Sequence, residues 1–185
     1  MREKTGARTA ELGDQAAPFL LYFAYGSNLH PARLAARLAT PRLLGTARLD
    51  GHGLRFHKRG RDGSGKCSIV PGSACVHGAV YALDAADKLA LDDIEGVGTG
   101  YASVEVDLPG FGTASTYVAL PGAVDDALQP FDWYLALVVA GARFQRFPAD
   151  YLAALGAVVA RPDPDPTRAH AQAQLLAALA RHPSH

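Results

Sequence analysis

The sequence predicts an α+β fold whose sheet is mostly antiparallel or mixed, and curled or closed. The chain has 185 residues, which suits one domain better than two. Hydrophobic residues make up 49% and charged residues 19%, which supplies a sizeable core and excludes a disordered chain. The segments with strand character are grouped and do not alternate with helices throughout, and this grouping favours α+β over α/β.

Five apolar segments predict strands. The first, Phe19–Ala24, is a continuous apolar run that ends at a glycine turn, as a buried strand does. The later segments are short or interrupted, and Gly, Pro and Asp residues separate them. Strands this short suit a curled sheet. They are predicted at 43–57, 67–82, 101–108 and 113–119.

Helices are predicted between these strands and after them. In the first, Pro31 lies near the first turn, and Leu34 and Leu38 share a face at i, i+4. Asp84 is a suitable N-cap for the second. The last two helices form a pair, each with a proline near its start. The predicted helices span 31–38, 84–94, 130–142 and 148–160.

The chain is predicted to have one domain with an extension at each end. Residues 1–17 are polar and mixed, which predicts a flexible N-terminal extension, and the domain is expected at 18–161. Residues 162–185 are predicted to be a Pro-rich linker followed by a short C-terminal helix or tail. Pro162–Pro166 contains three prolines, which disfavour a helix there, and Thr167 is a candidate cap for the tail helix.

Composition excludes several classes of protein. Eighteen basic residues balance eighteen acidic ones, so the net charge of zero predicts neither a nucleic-acid nor an anionic-membrane partner. No apolar run approaches the roughly 18 residues of a membrane-spanning helix. Asp14 and Pro18 lie where the apolar part of a signal peptide would be, which predicts a cytoplasmic protein. Cys67 and Cys75 make neither a disulfide framework nor a zinc site.

Two glycine-rich motifs resemble nucleotide-binding loops and are interpreted as turns. Gly96–Gly100 lies after a predicted helix and before a strand, the reverse of the order in a dinucleotide-binding motif. Gly60–Lys66 has the spacing of a phosphate-binding loop, but Cys67 replaces the Ser or Thr that would hold magnesium. A strand is expected to follow it, so the motif predicts a hairpin turn.

Two other segments carry candidate chemistry. In Tyr22–Leu29, a strand runs into a loop before a helix, and backbone N–H groups there suit a carboxylate, with the Ser27 hydroxyl and the Asn28 amide as further donors. Ser27 or Asn28 as a helix N-cap is the alternative. In Leu91–Gly96, Glu95 ends a helix beside glycines that leave room for a ligand. A solvated surface carboxylate is the alternative there.

Both segments resemble signatures of the gamma-glutamylcyclotransferases. Phe19–Leu29, with its Y-G-S-N-L motif, resembles their substrate loop. Leu91–Val97, followed by Gly100-Tyr101, resembles the second signature, which carries their catalytic glutamate. The order and spacing hold over residues 19–160. Three further stretches are similar: Ala47–Leu49, Val76–Tyr81, and the set Tyr134, Gly141-Ala142, Phe147-Pro148 and Tyr151-Leu152.

The resemblance has two departures. Some members have one more residue between the glycine and the tyrosine than Gly100-Tyr101 shows. His77 stands where many relatives have tryptophan or another residue. Both changes affect the expected pocket wall, and neither removes a catalytic group.

The resemblance implies a small mixed β-barrel flanked by helices, and a cyclisation that needs no cofactor or metal. The α-amino group of a γ-glutamyl amide attacks its own γ-carbonyl, which releases 5-oxoproline and the free amine. Glu95 is expected to be the general base and acid. Tyr101 is a further pocket candidate, and a core-facing aromatic is the alternative for Tyr134. The expected substrate-binding residues are Tyr22, Phe23, Ala24, Tyr25, Gly26, Ser27, Asn28 and Tyr134.

Several substrates fit this chemistry. γ-Glutamyl amino acids or amines are the leading expectation, and glutathione or a γ-glutamyl-protected biosynthetic intermediate are alternatives that differ in the leaving-group pocket. A non-catalytic γ-glutamyl-binding module is an alternative of another class. The expected partner is a small molecule, and a monomer or a homodimer is expected.

Overall fold

A computed structural model describes residues 19–181, and these form one mixed sheet with helices on its flanks. The strands are β1 (Leu20–Ala24), β2 (Arg42–Arg59), β3 (Gly65–Leu83), β4 (Tyr101–Leu108) and β5 (Gly112–Ala119). The helices are α1 (Pro31–Ala35), α2 (Ala85–Glu95), α3 (Asp132–Phe144), α4 (Ala149–Gly156) and α5 (Pro166–Leu179), with a 3₁₀ turn at Pro121–Ala123. The predicted α+β class and each predicted strand are confirmed.

The short strand β1 lies at the centre of the sheet, whose order is β2-β3-β1-β5-β4. It runs antiparallel to β3 and parallel to β5, so the sheet is mixed. Beyond the end of β1, the flanking strands contact each other directly: the Ala119 amide of β5 donates to Ser68 Oγ of β3 at 3.0 Å. The sheet is therefore curled around the end of β1, while its order over residues 19–181 is that of an open sheet.

The long hairpin of β2 and β3 forms the outer half of the sheet. Lys58 pairs with Lys66 and Arg59 with Gly65, and the Gly60 amide donates to the Ser64 carbonyl at 2.8 Å. The hairpin turn predicted at Gly60–Lys66 is confirmed. Register shifts interrupt the ladder at three places along β2. Such irregularities bend a strand, which lets this long ribbon follow the curl of the sheet.

Helix α2 begins and ends where local sequence signals predict. The Asp84 carboxylate accepts a hydrogen bond from the Asp87 amide at 2.7 Å and caps the first turn. Gly96 ends the helix with φ of 71°, a left-handed conformation that glycine adopts without steric cost. Gly98 also has positive φ, at 85°, so the turn predicted over Gly96–Gly100 is confirmed. Glu95 is the last residue of α2.

Two capping predictions are wrong. Helix α1 ends at Ala35 instead of residue 38, and its N-cap is His30, whose Nδ1 accepts from the Ala32 amide at 3.2 Å. The tail helix α5 begins at Pro166, and Asp165 caps it in place of Thr167. The Asp165 carboxylate accepts from two amides, while proline suits the first helical position because it has no N–H to leave unpaired.

Helix α5 packs against α3, and its last residue, Leu179, is buried. Before it, the Asp163 carboxylate accepts hydrogen bonds from Trp133 Nε1 of α3 and from Arg168. The predicted N-terminal extension lies outside the described residues, and the division of the chain at residues 18 and 161 stays a prediction. No helix within residues 19–181 is long and apolar enough to cross a membrane.

The buried carboxylate of Asp87 ties α2 to the chain that follows α1. Its Oδ1 accepts from the Ala39 amide at 2.8 Å and its Oδ2 from the Thr40 amide at 2.9 Å. We expect Asp87→Ala to lower the free energy of unfolding by about 2 kcal/mol, because both amides lose their acceptor. Urea unfolding measures this loss. Asp93→Ala, at an exposed position of the same helix, is the control, and equal stabilities for the two variants would contradict this role.

Candidate active site

The chain leaves the sheet at the end of β1 in a tight loop. The Leu29 amide donates to the Gly26 carbonyl at 3.2 Å, which closes a turn over residues 26–29. Gly26 packs so closely on β3 and α3 that an added Cβ would lie 3.1 Å from Cys67 Cβ and 3.5 Å from the Tyr134 hydroxyl. A larger residue at position 26 would push the loop away from these two neighbours.

The loop retains backbone donors that no protein group uses. Within residues 19–181, the amides of Ser27 and Asn28 donate no hydrogen bond. The first amides of α1 are engaged instead, since those of Ala32 and Arg33 bond to the side chain and the carbonyl of His30. The predicted carboxylate site is therefore the loop itself, without the N-terminus of α1. Neither Ser27 nor Asn28 caps that helix, so this alternative for the two residues is wrong.

The Glu95 side chain faces this loop across the end of β1. Its Oε1 accepts from Asn28 Nδ2 at 3.1 Å and lies 3.5 Å from Arg37 Nη1. Its Oε2 has no hydrogen-bond partner among the described residues. The side chain is 19% exposed, so Glu95 is largely withdrawn from solvent. One carboxylate oxygen is held in place and the other is left available.

Asn28 connects the loop to Glu95. Its Nδ2 group donates both to Glu95 and to the Tyr22 hydroxyl, the latter at 3.2 Å. Its Oδ1 accepts from Arg37 Nη1 at 3.2 Å. Because these contacts use both ends of the amide, its orientation is fixed. Asn28 is buried, so these bonds form away from water and hold the loop against the end of α2.

Most of the predicted site residues come together around one cavity of about 40 Å³, called here the inner cavity. Phe23 and Ala24 do not line it, because both are fully buried within β1, where the Phe23 ring packs over Gly78. The inner cavity is lined by Tyr22, Tyr25, Gly26, Ser27, Asn28, Cys67, Glu95, Tyr101, Tyr117 and Tyr134.

Five of the ten residues that line the inner cavity are tyrosines, and all five are uncharged at neutral pH. Burial raises the pKa of each phenol well above its ordinary value, and the nearby Glu95 carboxylate acts in the same direction. Most of their hydroxyls are held by the protein: for example, Tyr101 donates to the Cys67 carbonyl at 2.6 Å, and Tyr117 to Asp92 at 2.7 Å. The wall is therefore polar, neutral and fixed.

Cys67 belongs to the site although no sequence motif predicted a chemical role for it. Its amide donates to the Tyr134 hydroxyl at 3.1 Å, so Tyr134 both lines the cavity and braces β3. Burial raises the pKa of the Cys67 thiol to about 12, which keeps it protonated and unreactive at neutral pH. Glu95 is then the one carboxylate among the residues that line the inner cavity.

A second cavity of about 250 Å³, called here the outer cavity, adjoins the inner one. The two share Ser27, Glu95, Tyr101 and Tyr134, so Glu95 lies at their junction. The outer cavity is rich in cations, and of these only Lys66 belongs to a motif singled out in the sequence, the Gly60–Lys66 turn. For the other cations, the sequence signal was the pair Arg33 and Arg37, spaced i, i+4 after the loop. Its other lining residues are Lys58, Gly60, Arg61, Asp62, Lys66, Ile94 and Trp133.

A larger cavity lies elsewhere, between the β2–β3 hairpin and α4, and measures about 950 Å³. Its walls are mostly apolar, and it contains none of the predicted site residues. His57 Nδ1 and Asp126 Oδ1 lie within hydrogen-bond distance there, 2.8 Å apart. It has neither the unpaired loop amides nor the junction carboxylate that distinguish the candidate site.

Comparison with known proteins decides the fold. A solved gamma-glutamyl cyclotransferase superposes with a TM-score of 0.76 at 24% sequence identity, over 87% of this chain and 99% of its own. The human protein loc79017, described as uncharacterized, superposes with a TM-score of 0.75 at 25% identity, over 86% of this chain and 98% of its own. This chain has the gamma-glutamyl cyclotransferase fold. The resemblance drawn from the sequence motifs is confirmed at this level.

Two further comparisons agree with this fold. A model of the AIG2-like family matches residues 75–155, a range that includes Glu95 and Tyr134 of the candidate site. YkqA from Bacillus subtilis has a TM-score of 0.65 at 20% identity, and the match covers 77% of this chain and 56% of that protein. A search of curated proteins finds no significant match.

The free hydroxyl of Ser27 yields a test of the loop. We expect Ser27→Ala to raise the KM for a substrate bound through a carboxylate at least about tenfold, because a hydrogen bond to a charged group contributes about 1.5–3 kcal/mol. The melting temperature should stay the same, since Ser27 caps no helix. Steady-state kinetics and calorimetry measure the two effects. An unchanged KM with a large fall in melting temperature would contradict a binding role.

Proposed function

We propose that the protein is a gamma-glutamylcyclotransferase. The α-amino group of a γ-glutamyl amide attacks its own γ-carbonyl, closes the five-membered ring of 5-oxoproline and expels the amine. The proposal rests chiefly on one observation: Glu95, the carboxylate of the inner cavity, is 3.1 Å from Asn28 of the loop whose backbone amides are unpaired. An acceptor for a proton and a receptor for a carboxylate thus lie side by side.

The loop binds the α-carboxylate of the substrate in this proposal. The free amides of Ser27 and Asn28 offer two directed donors, and the Ser27 hydroxyl offers a third. Binding at this end leaves the γ-carbonyl near the junction of the two cavities, beside Glu95. The amine and the carbonyl belong to one molecule. Holding them in ring-closing geometry therefore lowers the activation free energy by on the order of 7–11 kcal/mol.

Glu95 transfers the protons. The α-amine of the substrate is mostly an ammonium at neutral pH and attacks only after losing a proton. Glu95 Oε2, which has no partner among the described residues, accepts that proton and returns it to the departing amine. The buried tyrosines and Cys67 do not compete for this role, because their raised pKa values keep them protonated.

Arg37 and Asn28 position this carboxylate. Both contact Oε1, which leaves Oε2 directed away from them. The neutral phenols around the inner cavity exclude water and supply fixed dipoles for the charge that develops on the γ-carbonyl oxygen. Glutathione and a γ-glutamyl-protected intermediate undergo the same ring closure and differ only in the amine released. A cytoplasmic location and a monomeric or homodimeric state stay predictions.

Replacing Glu95 by its uncharged isostere tests the proposal. We expect Glu95→Gln to lower kcat for 5-oxoproline release by 10²–10⁴-fold, because the amide accepts no proton. Circular dichroism and melting temperature should match those of the wild type. The assay offers γ-glutamyl-alanine, a γ-glutamyl amine and glutathione in parallel and quantifies 5-oxoproline by chromatography.

Glu105→Gln is the matched control, because Glu105 is an exposed glutamate on β4 away from both cavities. It should retain wild-type turnover. Near-normal activity of Glu95→Gln would contradict the mechanism. Absence of 5-oxoproline from these three substrates and from γ-glutamyl-glutamate with the wild-type protein would contradict the function.

A further inference from the structure

The outer cavity holds more positive charge than its own carboxylates neutralise. Its lining includes five cations and two carboxylates. Lys66 Nζ lies 2.7 Å from Asp62 Oδ2, and Arg37 Nη1 lies 3.5 Å from Glu95 Oε1. These two pairs account for both carboxylates. The remaining cations, which have no ion pair within residues 19–181, are Arg33, Lys58 and Arg61.

Arg33 is the most unusual of these three cations, because the residue is only 8% exposed. Its Nε atom is buried and has no hydrogen-bond partner in the described part of the chain. Burial and the neighbouring Arg37 lower the pKa of the Arg33 guanidinium to about 10, so it remains charged at neutral pH. A buried guanidinium without a counter-ion is costly, and such groups ordinarily have an anion beside them.

Lys58 is similar, at 9% exposure and on a different element. Its Nζ lies 4.5 Å from the centre of the Tyr101 ring, a contact that orients the ammonium but does not neutralise it. Gly100 makes this approach possible, since an added Cβ there would lie 2.7 Å from Lys58 Nζ. The pKa of the Lys58 ammonium is lowered, chiefly because burial desolvates it. Two elements thus each bring a buried, unpaired cation to the same cavity.

We propose that the outer cavity binds the leaving amine of the substrate through at least two negative charges on it, carried by two carboxylates or by one phosphate. This inference rests on the proposed function. With the glutamyl α-carboxylate on the Ser27–Asn28 loop and the γ-carbonyl beside Glu95, the part of the substrate beyond the scissile bond enters the outer cavity. Arg33 and Lys58 each receive one negative charge there.

A leaving amine with one negative charge leaves one of the two buried cations uncompensated, and a neutral amine leaves both. The structure therefore separates the substrates that share the ring-closing chemistry. γ-Glutamyl derivatives of acidic amino acids or of phosphorylated amines are favoured. γ-Glutamyl derivatives of neutral amines are disfavoured, because a desolvated cation that they leave without a partner weakens their binding.

Two matched substrate pairs test the charge requirement. γ-Glutamyl-glutamate and γ-glutamyl-glutamine have the same shape and differ by one charge. γ-Glutamyl-O-phosphoethanolamine and γ-glutamyl-ethanolamine differ by the phosphate. We expect kcat/KM for 5-oxoproline release to be at least about tenfold higher for the more acidic member, and the stronger of the two effects identifies carboxylate or phosphate as the preferred group. Equal kcat/KM values within both pairs would overturn the inference and leave the cyclotransferase function standing.

Variants locate the effect. Arg33→Gln and Lys58→Gln should each reduce the preference to about threefold or less, through a lower kcat/KM for the more acidic substrates. Arg59→Gln, next to Lys58 on β2 but exposed and outside the cavity, should keep the full preference. A preference that persists in both cavity variants would overturn the assignment. Arg33→Gln should melt at or above the wild-type temperature, because it removes an unpaired buried charge.

A binding measurement keeps the inference separate from the proposed function. Calorimetric titration with O-phosphoethanolamine, glutamate and ethanolamine requires no turnover. Binding of either acidic amine that is at least tenfold weaker in Arg33→Gln and Lys58→Gln, with no binding of ethanolamine, would support the anion site even if no substrate yielded 5-oxoproline. Absence of binding by both acidic amines would overturn it. Should either variant fail to fold, the other supplies the same comparison.

Discussion

The hydrogen bond between Asn28 and Glu95 is the contact on which the site depends. It joins the loop after β1 to the last residue of α2, two segments 67 residues apart in sequence. Local structure positions each partner independently. Because β1 is short, its loop leaves the sheet at the centre. Gly96 ends α2, which places Glu95 at the end of that helix. The curl of β3 and β5 beyond β1 then surrounds this contact with buried tyrosines.

Features with a local signal could be predicted from the sequence. Asp84 caps α2, the glycines after Glu95 reverse the chain, and the hairpin turn after β2 lies where Gly60–Lys66 indicated. Short-range rules suffice for these, because the interacting groups are close in sequence. The function expected for the loop and for Glu95 was predicted from the resemblance of two motifs. Residue chemistry by itself left a structural alternative for each, a helix N-cap for the loop residues and a solvated surface carboxylate for Glu95.

Features that depend on tertiary contacts could not be predicted. His30 caps α1 in place of Ser27 or Asn28, and its ring also packs against Phe144 of α3. The excess of positive charge in the outer cavity could not be predicted from a chain with zero net charge. Arg33 lies on α1 and Lys58 on β2, and only the tertiary structure brings them to one cavity. These two cations are candidates for binding an anion because they are buried, and their burial depends on the packing of the whole sheet.

The most direct measurement is a crystal structure of Glu95→Gln with γ-glutamyl-glutamate bound. In the proposed reaction, Glu95 lies at the junction between a carboxylate-binding loop and a cationic leaving-group cavity. We expect the α-carboxylate within hydrogen-bond distance of the Ser27 and Asn28 amides, the γ-carbonyl beside residue 95, and the glutamate leaving group between Arg33 and Lys58. A substrate bound in the apolar cavity beside α4, or in the reverse orientation, would contradict this arrangement.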